Sequence, residues 1–256
     1  MSGLALTYDI SINLHRVQDP NPIARSNLIS GDRNICFSAT ASFTASFALF
    51  TIGAVTVRRA HRSELPYAAI PIFFAIQQLI EGSLWLALPA QSSSAHILTM
   101  GYLVFANILW PIYVPVAIWM IEPYRLHRNR LLVPLAAGAL TALFFIGALA
   151  MQPVSASVIG SHIHYDFPHP HDKIAFAFYA TATCLAPLLS SHKLVQWLGA
   201  TLIVSMVAAY VIYAVWFASV WCYFAALISA LISLYFRQQD APGNLRLKKP
   251  TLKEQS

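Results

Sequence analysis

The chain is 256 residues long, 57% hydrophobic and only 10% charged, with a formal net charge of +6 and a mean hydropathy of +0.59. A soluble domain is about 45–50% apolar and about 25% charged, so a soluble chain of this length would lack the polar side chains that its exposed shell needs. The same numbers exclude disorder, and the basic residues, placed in short loops between apolar runs, read as membrane orientation and not as a nucleic-acid footprint.

Asp9, His15, Arg16 and Asp19 interrupt the first 35 residues, where a signal peptide needs an unbroken apolar core. Asp19-Pro20-Asn21-Pro22 and Ser30-Gly31-Asp32 are turn chemistry. Residues 1–35 are therefore expected to form an extracytoplasmic N-terminal extension, mobile or lying on the surface.

Seven apolar runs follow: roughly Cys36–Val57, Tyr67–Leu88, His96–Ile121, Leu131–Gln152, Ile174–Ser190, Leu194–Ala214 and Ser219–Phe236. Each is close to the ~20 residues of a spanning helix. The fifth is the shortest and contains Pro187. The sixth and seventh are parted only by Val215-Trp216-Phe217-Ala218. They are read as two helices, because one helix of over about 40 residues would be about 60 Å long, twice the apolar slab.

With the N-terminus outside, twelve Lys and Arg fall on the inner side and four on the outer, Arg16, Arg25, Arg33 and Lys173. This asymmetry fixes orientation. The expected fold class is all-α: a polytopic membrane protein with seven transmembrane helices over residues 36–236, N-terminus outside and C-terminus inside. Residues 237–256 are expected to be a basic cytoplasmic tail, and the lipid bilayer the partner.

Helix 1 opens with a small-residue face of Ser38, Ala41, Ser42 and Ala45. Such faces allow close helix approach; Ser38 and Ser42 are also candidates to line a polar pocket. Helix 2 carries Glu81, about 10 Å below its outer end at 1.5 Å per residue. A carboxylate at such depth costs about 2.5–3.5 kcal/mol on insertion scales, so it is expected to face the bundle. Gln77, Glu81 and Trp85 are spaced i, i+4, i+8, with Gln78 alongside, and form one stripe. The stripe reads either as hydrogen-bonded helix glue or as a site for a metal, proton or polar substrate. In helix 3, Asn107 is glue or pocket lining, and Pro111 and Pro115 predict a kink.

The outer loop between helices 4 and 5 holds four of the nine histidines, at positions 162, 164, 169 and 171. In an extended segment His162, His164 and Asp166 point to one side. Alternate imidazoles and a carboxylate suit a divalent ion, and His-rich tracts are a metal cue. Ile163, Tyr165 and Phe167 alternate with them and form an apolar side fit to dock on the bundle. If the loop folds inward, an imidazole is expected to come near Glu81, and the set Glu81, His162, His164 and Asp166 would take zinc or iron. His169 and His171, flanked by prolines, read as spacer. Ser190-Ser191-His192 closes helix 5 at the inner interface. Trp216 and Trp221 fit an aromatic belt. Cys36 and Cys222 both lie near the outer face, where a disulfide is permitted, although spacing does not establish their reach.

Several segments together resemble a bacterial family of small seven-helix membrane proteins known as a domain of unknown function. They are Cys36–Phe43 (CFSATASF), Glu64-Leu65-Pro66-Tyr67, Gln77-Gln78-Leu79-Ile80-Glu81-Gly82, Ser190-Ser191-His192 and Ser219-Val220-Trp221-Cys222. The resemblance covers roughly residues 36–236. Members start at or just before the first motif, so residues 1–35 depart from the pattern. The resemblance implies a multi-pass protein of the bacterial inner membrane and supplies no activity.

Three functions compete. An outward-facing metal-binding or metal-dependent membrane protein would use Glu81 and the His-rich loop; whether it is an enzyme stays open. A transporter of an ion or small molecule would line its path with the Glu81 stripe and the kinked helix 3, but no internal repeat is evident. A sensory or structural role is the third. A retinal Schiff base is excluded, because it needs a lysine within a helix and none of the seven runs contains one.

Overall fold

The computed structural model describes residues 38–159, 162–212 and 217–239. The expectations for the N-terminal extension, Cys36, Trp216 and the basic tail lie outside the described residues.

Helix α1 (Ala39–Arg59) starts where the Ser38 hydroxyl accepts the Ala41 N–H at 3.2 Å, a helix N-cap. Its buried residues, Ser42, Ala45, Leu49, Gly53 and Thr56, recur every three or four positions. This stripe packs on α2 (Leu65–Ala87). Small side chains let the backbones approach: the Ser46 hydroxyl donates to the Ala75 carbonyl at 2.7 Å, and the Thr56 hydroxyl donates to the Ala68 carbonyl at 2.9 Å.

The third apolar run forms α3 (Ala95–Val104), a π-helical segment (Phe105–Leu109) and α4 (Trp110–Ile121) without a break. The proline kink expected here takes this form. Pro111 cannot donate to the preceding turn, and the wider π turn just before it absorbs the mismatch. After α5 (Arg125–Arg130) and α6 (Leu132–Met151), the outer loop is a β-hairpin. Strand β1 (Ser155–Ile159) pairs antiparallel with β2 (His162–Asp166), with Ile159 opposite His162 and Ser155 opposite Asp166.

The fifth run forms α7 (Asp172–Ala180), a second π segment (Thr181–Leu185) and α8 (Ala186–Leu188). In both π segments a proline, Pro111 or Pro187, follows two residues after the last π residue. Pro111 of α4 and Ala182 of the second π segment both meet α6 at Gly138, where an added Cβ would clash with the Pro111 carbonyl oxygen and lie 3.4 Å from the Ala182 Cβ. Helices α9 (Lys193–Ile212), α10 (Phe217–Ser229) and α11 (Ile232–Gln239) complete the described chain.

Among the described residues, six helices are long and apolar enough to cross a membrane: Ala39–Arg59, Arg62–Ala87, Ala95–Ile121, Arg125–Met151, Lys193–Ile212 and Ser219–Gln238. The fifth run is helical, but its pieces of nine, five and three residues leave it below that length. Large apolar side chains such as Phe47, Ile97, Trp197 and Val211 are exposed on the flanks, as lipid contact requires and water does not favour. The chain is thus an α-helical protein whose apolar helices fit a membrane.

One end of the bundle is tied together by side chains. The Ser190 and Ser191 hydroxyls donate to the Glu122 carboxylate at 3.1 and 2.6 Å, and the Ser191 N–H donates to it at 2.8 Å. His192 Nε2 lies 3.3 Å from the Ile121 carbonyl, and its ring meets Tyr235 edge-on at 5.2 Å. Tyr235 in turn packs on Tyr67 at 5.3 Å. These contacts gather the ends of α4, α8 and α11 with the starts of α2 and α9. The hairpin sits against α3 and α10.

Candidate functional site

Gln77, Gln78 and Glu81 are buried in α2, with Glu81 2% exposed. Gln78 Nε2 donates to Glu81 Oε2 at 3.1 Å, and the Ser219 hydroxyl of α10 donates to Glu81 Oε1. Gln77 Oε1 accepts the Trp110 indole N–H at 2.6 Å, and the Trp110 ring stacks on Phe74 at 3.8 Å. Cys222, three residues after Ser219 on α10, meets the side chains of Tyr102 and Gln77. Gln78 Oε1 is buried and carries no hydrogen bond. An orphan acceptor beside a buried carboxyl is costly.

The hairpin roofs this network. Ile163 is fully buried, and the Tyr165 ring stacks on Tyr102 at 4.4 Å with 5° between the planes. Burial first, and the nearby Glu81 carboxyl second, hold the Tyr165 phenol well above its ordinary range. Strand alternation then turns His162, His164 and Asp166 to the other face. The loop folds inward as an apolar side implies, but the side chain it brings into electrostatic range of Glu81 is the Tyr165 phenol. Burial lowers the His162 imidazole below its ordinary value. Among the described residues no group of three or more His, Cys, Asp or Glu is placed to hold a metal ion.

Beside the network lies a cavity of about 720 Å³, within the usual range of roughly 300–1,000 Å³ for small-molecule sites. Tyr165, Trp221 and Cys222 form its inner wall. Phe145 of α6, Phe176 and Tyr179 of α7 and Tyr210 of α9 form much of the rest. Asn107, on the first π segment, points a polar group into it, and His169, Asp172 and Lys173 stand at the hairpin end. His169 Nε2 and Asp172 Oδ1 are 3.5 Å apart. A second cavity of about 50 Å³ lies inward and shares Tyr179, Trp221 and Cys222 as its wall.

The other candidates separate. Ser38 caps α1, and Ser42 is buried in the α1 stripe that faces α2. Trp85 is half-buried and joins the apolar cluster of Leu84, Tyr102 and Ile163 in place of the Glu81 network. Cys222 is a buried free thiol, and Cys36, with which a disulfide was permitted but not expected, lies outside the described residues. Of the pocket candidates, Gln77, Gln78 and Glu81 come together, and Asn107 lines the adjoining cavity.

Sequence reasoning missed Tyr102, Trp110, Tyr165 and Ser219 as members of the network. Each reads as an ordinary apolar-face or hydroxyl residue until the helices are packed. It also missed Glu122, which is 3% exposed. Burial raises the Glu122 pKa, but the hydrogen bonds from Ser191, Tyr124 and Ser190 outweigh that and hold it below the ordinary carboxylate value. The signal was present: an acid beside the last apolar residue of a helix, in a chain with few acids.

Residues 35–246 match a family of unknown function (DUF6629), and the chain belongs to that family. No curated protein and no solved structure matches it.

Proposed function

We propose that the chain is a seven-helix protein of a bacterial inner membrane, N-terminus outside and C-terminus inside, that binds a small amphiphilic molecule in an outward-facing cavity beside Glu81. In this reading residues 1–35 are an extracytoplasmic extension, 36–236 the transmembrane domain and 237–256 a cytoplasmic tail. The α7–α8 segment is the seventh span, shortened by its π turn. The clamp of Glu122 by Ser190 and Ser191 supports this, because it holds the ends of the third and fifth runs at one end of the bundle. That end is also where Arg58, Arg59, Arg125, Arg128 and Arg130 cluster in the sequence, as an inner face requires.

The observation that carries the function is the cavity itself: about 720 Å³, apolar walls, a few polar groups and a buried carboxyl network behind one wall, the usual make-up of a ligand site. A divalent ion on Glu81, His162, His164 and Asp166 would require the hairpin to present its other face to α2. The metal reading is tested by metal analysis: stoichiometric zinc or iron, lost in His164→Ala, would move the site to that face. Transport is a second reading, favoured by the smaller inner cavity that continues the outer one past Trp221.

Thermal unfolding of the purified protein against a panel of small aromatic amphiphiles tests the binding reading. At least one compound at about 100 times its Kd should stabilise by about 2.7 kcal/mol, a shift of a few degrees. Ala106 also lines the cavity, and in Ala106→Trp, whose added ring narrows it, the same compound should give a smaller shift. No shift with any compound would sink the reading.

A further inference from the structure

Resting on that reading, we infer that the cavity selects organic cations, its recognition surface being the ring faces of Phe145, Tyr165, Phe176, Tyr179, Tyr210 and Trp221. With Phe167, seven aromatic side chains border one cavity of about 720 Å³, many more than apolar burial of a ligand demands; Leu and Val would fill such walls as well. What rings add is a negative face, which attracts ammonium groups once water is excluded. The rings also brace one another: Tyr179 meets Trp221 edge-on at 5.5 Å, and Phe176 meets Tyr210 at 5.9 Å. They come from the hairpin and from α6, α7, α9 and α10, so they border the space on several sides, with Tyr210 at its exposed edge.

The fixed charges agree with this choice. Asp172 and Lys173 at the cavity's hairpin end offset one another, so no cationic cluster repels such a ligand. The described cavity lining contains a single lysine and no arginine, whereas an anion site would be built on such groups. A phosphate or carboxylate ligand therefore finds one lysine charge, already offset by Asp172, where an alkylammonium finds several rings.

The test is calorimetric titration of the purified full chain with phenyltrimethylammonium and with tert-butylbenzene, its neutral isostere of the same shape. The cation should bind at least tenfold more tightly at equal free concentration. Trp221→Leu and Tyr179→Leu should each reduce that preference about fivefold or more while leaving the neutral isostere bound; the two variants back one another if one fails to fold. Equal binding of the two compounds would overturn the cation inference and leave the cavity reading standing. Binding of neither, with no other amphiphile bound, would overturn both.

Discussion

Glu81 was legible from one fact, a carboxylate at membrane depth, which a helix tolerates only if it faces inward. Its partners were not legible, because Ser219 is 138 positions away in sequence and only packing brings its hydroxyl to the carboxyl. Ser219→Ala should leave Glu81 short of a hydrogen bond and cost roughly 1–3 kcal/mol, read as a fall in thermal midpoint; Ser219→Thr should recover part of it. Glu122 gives a pH-dependent prediction. Its folded pKa lies below the ordinary carboxylate value, so its contribution is present at neutral pH and is lost as pH falls through the folded value. Stability should therefore drop below about pH 4, and Glu122→Gln should flatten that drop while lowering stability at pH 7. An unchanged acid profile in the variant would show that the clamp does not stabilise the fold. Gly138 is a packing position: Gly138→Ala forces its Cβ against the Pro111 carbonyl and should cost about 1–3 kcal/mol. Gly147→Ala, with open space around it, should be neutral or stabilising, since alanine is the better helix former.

At the scale of elements, the helices were legible because span length and apolar content are strong local signals. The positions of α1, α2, α6 and α9 follow the runs within a few residues. Two features were not legible. The π segments precede prolines that meet tertiary contacts, Pro111 at Gly138 and Pro187 at Gly199, and a proline alone predicts only a kink. The hairpin was read from its alternation as having an apolar and a polar side, and both sides exist. Which of them met Glu81 depended on register, and a one-residue shift of register exchanges the faces of a strand. The segments Gln77–Gly82 and Ser219–Cys222 prove to be spatial neighbours around one carboxyl, which their separation in the chain concealed. Docking of the hairpin rests on Ile163, which is fully buried. Ile163→Ala should cost about 2–5 kcal/mol of local stability and speed amide exchange over residues 155–166. Exchange as slow as in the unaltered protein would mean that the hairpin is held by other contacts.

For the whole molecule, composition settled the solvent and charge asymmetry predicted the orientation. The proposed function rests on a space that no linear pattern records, formed between five helical runs and a hairpin. The central claim is that this space opens to the outside of a membrane. Reactivity of a thiol inside it tests that most directly. In a chain with Cys36, Cys184 and Cys222 replaced by serine, Asn107→Cys places a thiol in the cavity wall. Right-side-out vesicles treated with a small, membrane-impermeant methanethiosulfonate should label that thiol, and inverted vesicles should not. Labelling from the inner side, or no labelling from either side, would contradict an outward-facing site.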